Sequence, residues 1–253
     1  MSLVDPAELE LTHLRALLDF AGRRVVEIGP GDGRLAWDLS ADAALWLAVE
    51  PDLDELQAAV RARPHMDAPR VHFFAGDGRR LPLPSAACDV AFFTWSLCCI
   101  PPAGMATALA EAHRVLRPGG VLLDIHPTAD PLWLELWTLR PGDPEGSVEP
   151  ADYDQQPLGH LAPGDMQPNF AAATATLAAA PAQGYAEAEA RQFDFRFFFD
   201  TLDELSDHLE ENEEYGLAAD DLLETALLAL QSATRPARLV LTQPVLITRL
   251  ARV

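Results

Sequence analysis

The chain has 253 residues, a formal net charge of −21 and a pI near 4.5, which is long enough for a full α/β core carrying an insertion. A field of that sign repels phosphate backbones and anionic lipid, so nucleic acid and membrane partners are set aside. All 18 basic residues are arginine, which excludes chemistry built on a Schiff-base lysine or a P-loop lysine.

In chain order, leucines at 9, 11, 14, 17 and 18 predict a helix over 6–20, leading into a first strand at Arg24–Ile28. Leu45–Val49 reads as a second strand that ends in Glu50-Pro51, with a helix over 52–61 behind it. Third, fourth and fifth strands are expected at Val71–Ala75, Asp89–Thr94 and Val121–His126, with a helix at Ala103–Leu116 between the last two. Strands alternating with helices imply a mainly parallel sheet covered on both faces, with ligands beyond the carboxyl ends of the strands.

After His126 the alternation stops. Pro131–Leu139 is expected to be a short helix with Trp133 and Trp137 on one face, and Arg140–Asn169, rich in Pro, Gly and Asp, a long irregular connection. Ala171–Ala180 reads as helix or linker, Ala186–Phe199 as a long strand set with phenylalanines, and Leu239–Leu250 as the last strand. Between those strands, Asp200–Glu224 holds eleven carboxylates and no arginine, the pattern of a solvated helical surface. The expected organisation is 1–126 as a cofactor-binding half, 127–184 as a cap or insertion, and 185–253 completing the same domain.

Three cysteines, Cys88, Cys98 and Cys99, are an odd number, and adjacent ones are poorly placed for a disulfide. A reducing cytoplasm is therefore expected, as is a soluble chain, since no 18-residue apolar run occurs. The seven histidines show no zinc-ligand spacing, and no metal is expected.

The most informative segment is Val25-Val26-Glu27-Ile28-Gly29-Pro30-Gly31-Asp32-Gly33-Arg34. An apolar run feeds an acid and then three glycines at alternate positions, as a buried strand does when it turns sharply into a helix whose N–H groups face a ligand. A dinucleotide fingerprint would need glycine where Arg34 stands, and the spacing is E-x-G-x-G-x-G instead. That spacing resembles motif I of the class I S-adenosylmethionine (SAM) dependent methyltransferases. Ala75-Gly76-Asp77-Gly78-Arg79-Arg80-Leu81-Pro82, leading into Cys88-Asp89-Val90, resembles the G-D-x-x-x-L-P…D-V stretch of their small-molecule members. Arg114–Val121 is similar to their L-R-P-G-G turn into strand five.

The resemblance implies a Rossmann-like, seven-stranded doubly wound sheet with an antiparallel last strand and S-adenosyl-L-methionine as cofactor. It implies cofactor contacts at Glu27, Gly29, Gly31, Gly33, Glu50, Asp77, Gly78 and Trp95, with Glu50 on the ribose hydroxyls and Asp77 on the adenine amino group. Thr94–Pro101, at the pocket mouth, carries Cys98 and Cys99 where small-molecule members carry histidines. His126 then stands as the candidate general base, and Cys98, Cys99, Trp133, Trp137 and Tyr153 as candidate walls for a small-molecule acceptor. Two other readings stay open: a SAM-binding protein without turnover, and an NAD-type oxidoreductase.

Overall fold

The computed structural model describes residues 3–4, 8–63 and 70–253, omitting the side chains of Leu3, Glu187 and Ala188; the first two residues of the helix expected from 6 lie outside the described part. The elements are β1 (Leu3–Val4), α1 (Leu9–Leu17), β2 (Arg24–Ile28), α2 (Arg34–Leu39), β3 (Leu45–Glu50), α3 (Leu53–Arg61) and β4 (Val71–Ala75). They continue with β5 (Cys88–Thr94), α4 (Pro102–Val115), β6 (Leu116–Pro127), β7 (Trp133–Leu139), β8 (Tyr153–His160), β9 (Ala162–Pro163) and α5 (Gln167–Ala178). The last are β10 (Tyr185–Phe199), α6 (Leu202–Glu211), β11 (Gly216–Leu217), α7 (Asp220–Ser232) and β12 (Ala237–Arg252).

The chain divides into two compact units. The larger comprises 13–127, 169–192 and 246–253. Its strands follow the order β10-β12-β6-β5-β2-β3-β4, the Rossmann-like order expected from the sequence, although the sheet they belong to counts ten strands and not the expected seven. β6, β5, β2, β3 and β4 run parallel, with Val26 opposite both Leu47 and Ala91 and Ala91 opposite Leu122. Val25, Val26, Val90, Phe92, Leu122 and Leu123 are all buried, as apolar runs must be in strands covered on both faces. Helix α3 starts where Asp52 caps it, its carboxylate accepting from the N–H groups of Asp54 and Glu55 at 2.8 and 3.1 Å.

The smaller unit comprises the first twelve residues, 128–168 and 193–245. Here pairing is antiparallel: β7 lies between β12 and β8, β1 pairs with β10, and β9 with β11. Its core is Leu132, Leu134, Leu136, Leu161, Phe199, Leu205, Leu222, Leu239 and Leu241, packed with the apolar faces of α6 and α7.

Two expectations for this stretch are corrected. Trp133–Leu139 is a strand and not a short helix: Leu132, Leu134 and Leu136 alternate toward the core, and that period of two outweighs the i, i+4 spacing of the tryptophans. The connection after it is not irregular throughout, because Tyr153–His160 pairs with β7 as β8 although five of its residues are exposed. The segment 127–184 is itself divided, 128–168 in the smaller unit and 169–184 in the larger.

Candidate functional site

The carboxyl ends of β2, β3 and β5 place the glycine loop, Glu50 and the Thr94–Cys99 loop at one edge of the larger unit. The three loop glycines all take left-handed backbone, at φ 70°, 56° and 79° for Gly29, Gly31 and Gly33, yet they do different work. A Cβ on Gly29 would stand 2.4 Å from Cβ of Ser96, and one on Gly33 2.9 Å from the Phe73 ring, so both are packing positions. A Cβ on Gly31 would meet only Oε2 of Glu55, at 3.9 Å. Gly31 therefore faces space that the protein leaves open, where a ligand can approach backbone without a side chain between.

Beside it, Glu50 is buried and fixed at both oxygens. Gly31 N–H donates to Oε2 and Asp52 N–H to Oε1, each at 3.0 Å. Each oxygen keeps a lone pair for a further donor, so the carboxylate is preoriented to accept from two neighbouring hydroxyls.

Two hydroxyls that the sequence reading passed over tie the Thr94–Cys99 loop to the glycine loop. Thr94 Oγ1 donates to the Gly29 carbonyl at 3.1 Å, and Ser96 Oγ donates to the Ile28 carbonyl. Trp95 sits between them with φ at 58°, its N–H donating to Ile125 at 2.8 Å. The available signal was a pair of hydroxyl residues flanking a strand end, which by itself names no partner.

Asp77 lies in the turn after β4, where its carboxylate takes a fork of bonds from the Arg79 guanidinium, at 3.0 Å from Nε and 2.5 Å from the terminal nitrogen. The Arg79 hydrogen bonds hold the Asp77 carboxyl below the usual carboxylate range, so it stays ionised and acceptor-only. Gly78 is a packing position, where a Cβ would stand 2.7 Å from the Ile28 methyl. Glu27 is fully buried within β2 and accepts from the Trp46 indole at 2.7 Å, bracing the β2/β3 pair.

His126 is fully buried, with Nδ1 2.5 Å from Asp124 Oδ1 and Nε2 2.9 Å from Thr174 Oγ1. Both ring nitrogens are engaged, so in this structure neither is presented to a substrate as a general base must be. The Asp124–His126–Thr174 chain instead fastens the end of β6 to α5, and Thr174, inside an alanine-rich helix, gave no sign of this in the sequence.

Of the expected acceptor walls, Cys98 is buried and Cys99 exposed, both in the loop after β5. Trp137 and Tyr153 belong to the smaller unit, where they pack with Phe198 and Val240 at 1 % and 3 % exposure, and Trp133 is half-buried in the β7/β8 pair. Among the described residues no group of His, Cys, Asp and Glu is arranged to hold a metal. No helix of the described part is long and apolar enough to cross a membrane.

The sheet order, the glycine loop and the acid at the end of the next strand are arranged as in class I SAM-dependent methyltransferase domains. Residues 25–120 match the family model Methyltransf_25, described as a methyltransferase domain. A protein of Mycolicibacterium smegmatis described as an S-adenosylmethionine-dependent methyltransferase is 39 % identical over 121 residues, covering 45 % of this chain and 42 % of its own. The ubiquinone/menaquinone biosynthesis C-methyltransferase UbiE of Rubrivivax gelatinosus is 32 % identical over 114 residues, covering 45 % and 43 %. The chain thus spans less than half the length of these curated relatives. A methyltransferase structure from Bacillus halodurans superposes with a TM-score of 0.58 at 15 % identity, over 97 % of this chain and 98 % of that one. The [4+2]-cyclase SpnF superposes at 0.55 and 20 % identity, over 96 % and 80 %. These structural likenesses establish the fold, and the cyclase among them shows that the fold alone does not set the reaction.

The residues present fit the cofactor that this class uses. The open space against Gly31 admits a ligand to the backbone, and Glu50 is already oriented to accept two hydroxyls.

Proposed function

We propose that the chain transfers a methyl group from S-adenosylmethionine to a small-molecule acceptor. The observation that carries this reading is the contrast among the three loop glycines: two are filled against by protein, and the third, next to a preoriented carboxylate, is open. In this reading Gly31 gives the cofactor access to the backbone, Glu50 holds its ribose and Asp77 its adenine amino group. Thr94 and Ser96 keep the glycine loop in place. The cofactor supplies an already electrophilic methyl, so the protein's work is to align a nucleophile and exclude water, and a dedicated base is optional.

The sequence similarity to a C-methyltransferase and the acidic surface favour a neutral or cationic small acceptor over nucleic acid. Calorimetry with S-adenosylhomocysteine should give a Kd in the micromolar range, roughly −8 kcal/mol, with NAD binding far more weakly. A labelled-methyl screen of metabolite extracts then tests turnover. NAD binding tighter than S-adenosylhomocysteine would overturn the cofactor assignment, and tight binding with no labelled product in any extract would overturn the transfer.

A further inference from the structure

Cys98 and Cys99 are adjacent in a single turn of 3-10 helix, and their sulfurs converge on one atom. Cys98 Sγ lies 3.5 Å and Cys99 Sγ 3.2 Å from the Trp95 carbonyl oxygen. The neighbouring Cys99 thiol, together with burial, pushes the Cys98 thiol well above its ordinary range. One sulfur is buried and the other exposed, so the pair has an entrance on the Cys99 side. The third cysteine, Cys88, is buried at the start of β5, away from this turn.

We propose that Cys98 and Cys99 form a dithiol site that captures trivalent arsenicals, and that occupying it weakens cofactor binding. A trivalent arsenical is satisfied by two thiolate sulfurs held close together, which two adjacent cysteines on one short turn supply. With phenylarsine oxide the step is balanced without any redox change. Two As–S bonds form, the arsenic–oxygen bond breaks, and the oxygen leaves as one water carrying both thiol protons. Both sulfurs then leave the Trp95 carbonyl, the atom between Thr94 and Ser96, whose hydroxyls hold the Gly29 and Ile28 carbonyls. The effect on the cofactor rests on the function proposed above; the capture of arsenic does not.

The test is intact-protein mass spectrometry after phenylarsine oxide treatment, followed by a wash in excess 2-mercaptoethanol, a monothiol. Wild type and Cys88→Ala should each retain one arsenical, releasing it to 2,3-dimercaptopropanol. Cys99→Ser and Cys98→Ala should each lose it in the monothiol wash, and Cys99, being exposed, can be changed without disturbing the core. Retention of the adduct by Cys99→Ser, or its loss from Cys88→Ala, overturns the site. Calorimetry with S-adenosylhomocysteine on the wild-type adduct should show affinity at least tenfold weaker than on untreated protein, and unchanged affinity overturns the coupling. Untreated protein that does not bind S-adenosylhomocysteine fails the methyltransferase reading while leaving the mass-spectrometric result to stand alone.

Discussion

The two units solve the same problem of burying apolar strands by different means. In the larger, the central strands are parallel and covered on both faces, so their ends converge on one edge and the polar groups there are held by backbone of neighbouring loops: Glu50 by Gly31 and Asp52, Thr94 by Gly29. In the smaller, the strands are antiparallel, leucines on β7 and β12 fill the core, and ion pairs lie along the surface, as where Arg140 and Arg235 share Asp154 at 3.0 and 2.8 Å. The residues of the proposed site lie where backbone conformation dictates residue type. Where packing alone dictates it, many sequences serve, and the residues announce little.

The largest separation of the two units comes from one substitution in each. Gly31→Val should weaken S-adenosylhomocysteine binding roughly 1,000-fold, about 4 kcal/mol, by filling the one open cradle in the loop. Its left-handed φ of 56° adds a folding cost of about 1–2 kcal/mol. Leu136→Ala, in the core of the smaller unit, should cost about 3 kcal/mol of stability by leaving a cavity. Urea denaturation and calorimetry on both variants check the pair. Binding that survives Gly31→Val would reduce the loop to a turn.

The same contrast explains what was legible in the sequence. β2 and β4 fall on the expected residues, and Glu27 to Gly33 reads directly as strand, turn and helix start, because few residues other than glycine tolerate those backbone angles. β7 and β8 were not legible. Trp133 and Trp137 stand at a helical spacing, and Tyr153–His160 has too few apolar residues to announce a strand; β7 is fixed by pairing with β12 about a hundred residues away, as Leu136 with Leu239, and β8 by pairing with β7. The site divides likewise. Gly31 and Glu50 were readable from motif spacing, whereas Thr94, Ser96 and Thr174 act through contacts 48 to 68 residues distant in sequence.

A second, smaller effect follows from where the titrating thiols lie. All three cysteines belong to the larger unit. Burial pushes the Cys88 thiol up from 9.0 to about 11, with Asp89 adding to the rise and Arg24 opposing it. Between those values the unfolded chain has lost this proton and the folded chain has kept it, so the unfolded state binds fewer protons and stability falls as pH rises. The loss from Cys88 should begin near pH 9 and reach ~2 kcal/mol by pH 11. Burial raises the Tyr185 hydroxyl in the same direction and extends the decline to higher pH. Urea midpoints taken from pH 8 to 10.5 should drop, and Cys88→Ala should flatten the drop. An identical slope in the variant would place the titration elsewhere.

The smallest effect sharpens the comparison most, because it holds the chemistry of the change constant. Each unit has a helix capped by a side-chain oxygen: Asp52 accepts from Asp54 and Glu55 at the start of α3, and Thr201 accepts from Glu204 at 3.2 Å at the start of α6. Replacing either by alanine should cost about 1 kcal/mol of stability. The Asp52 backbone N–H, which holds Glu50 Oε1, survives Asp52→Ala, but the turn that aims it loses its side-chain anchor. Asp52→Ala should therefore also weaken S-adenosylhomocysteine binding a few-fold, on the order of 0.5–1 kcal/mol, while Thr201→Ala leaves it unchanged. Equal binding by the two variants would mean that Glu50 is oriented by Gly31 alone, and the capped turn after β3 would be structural.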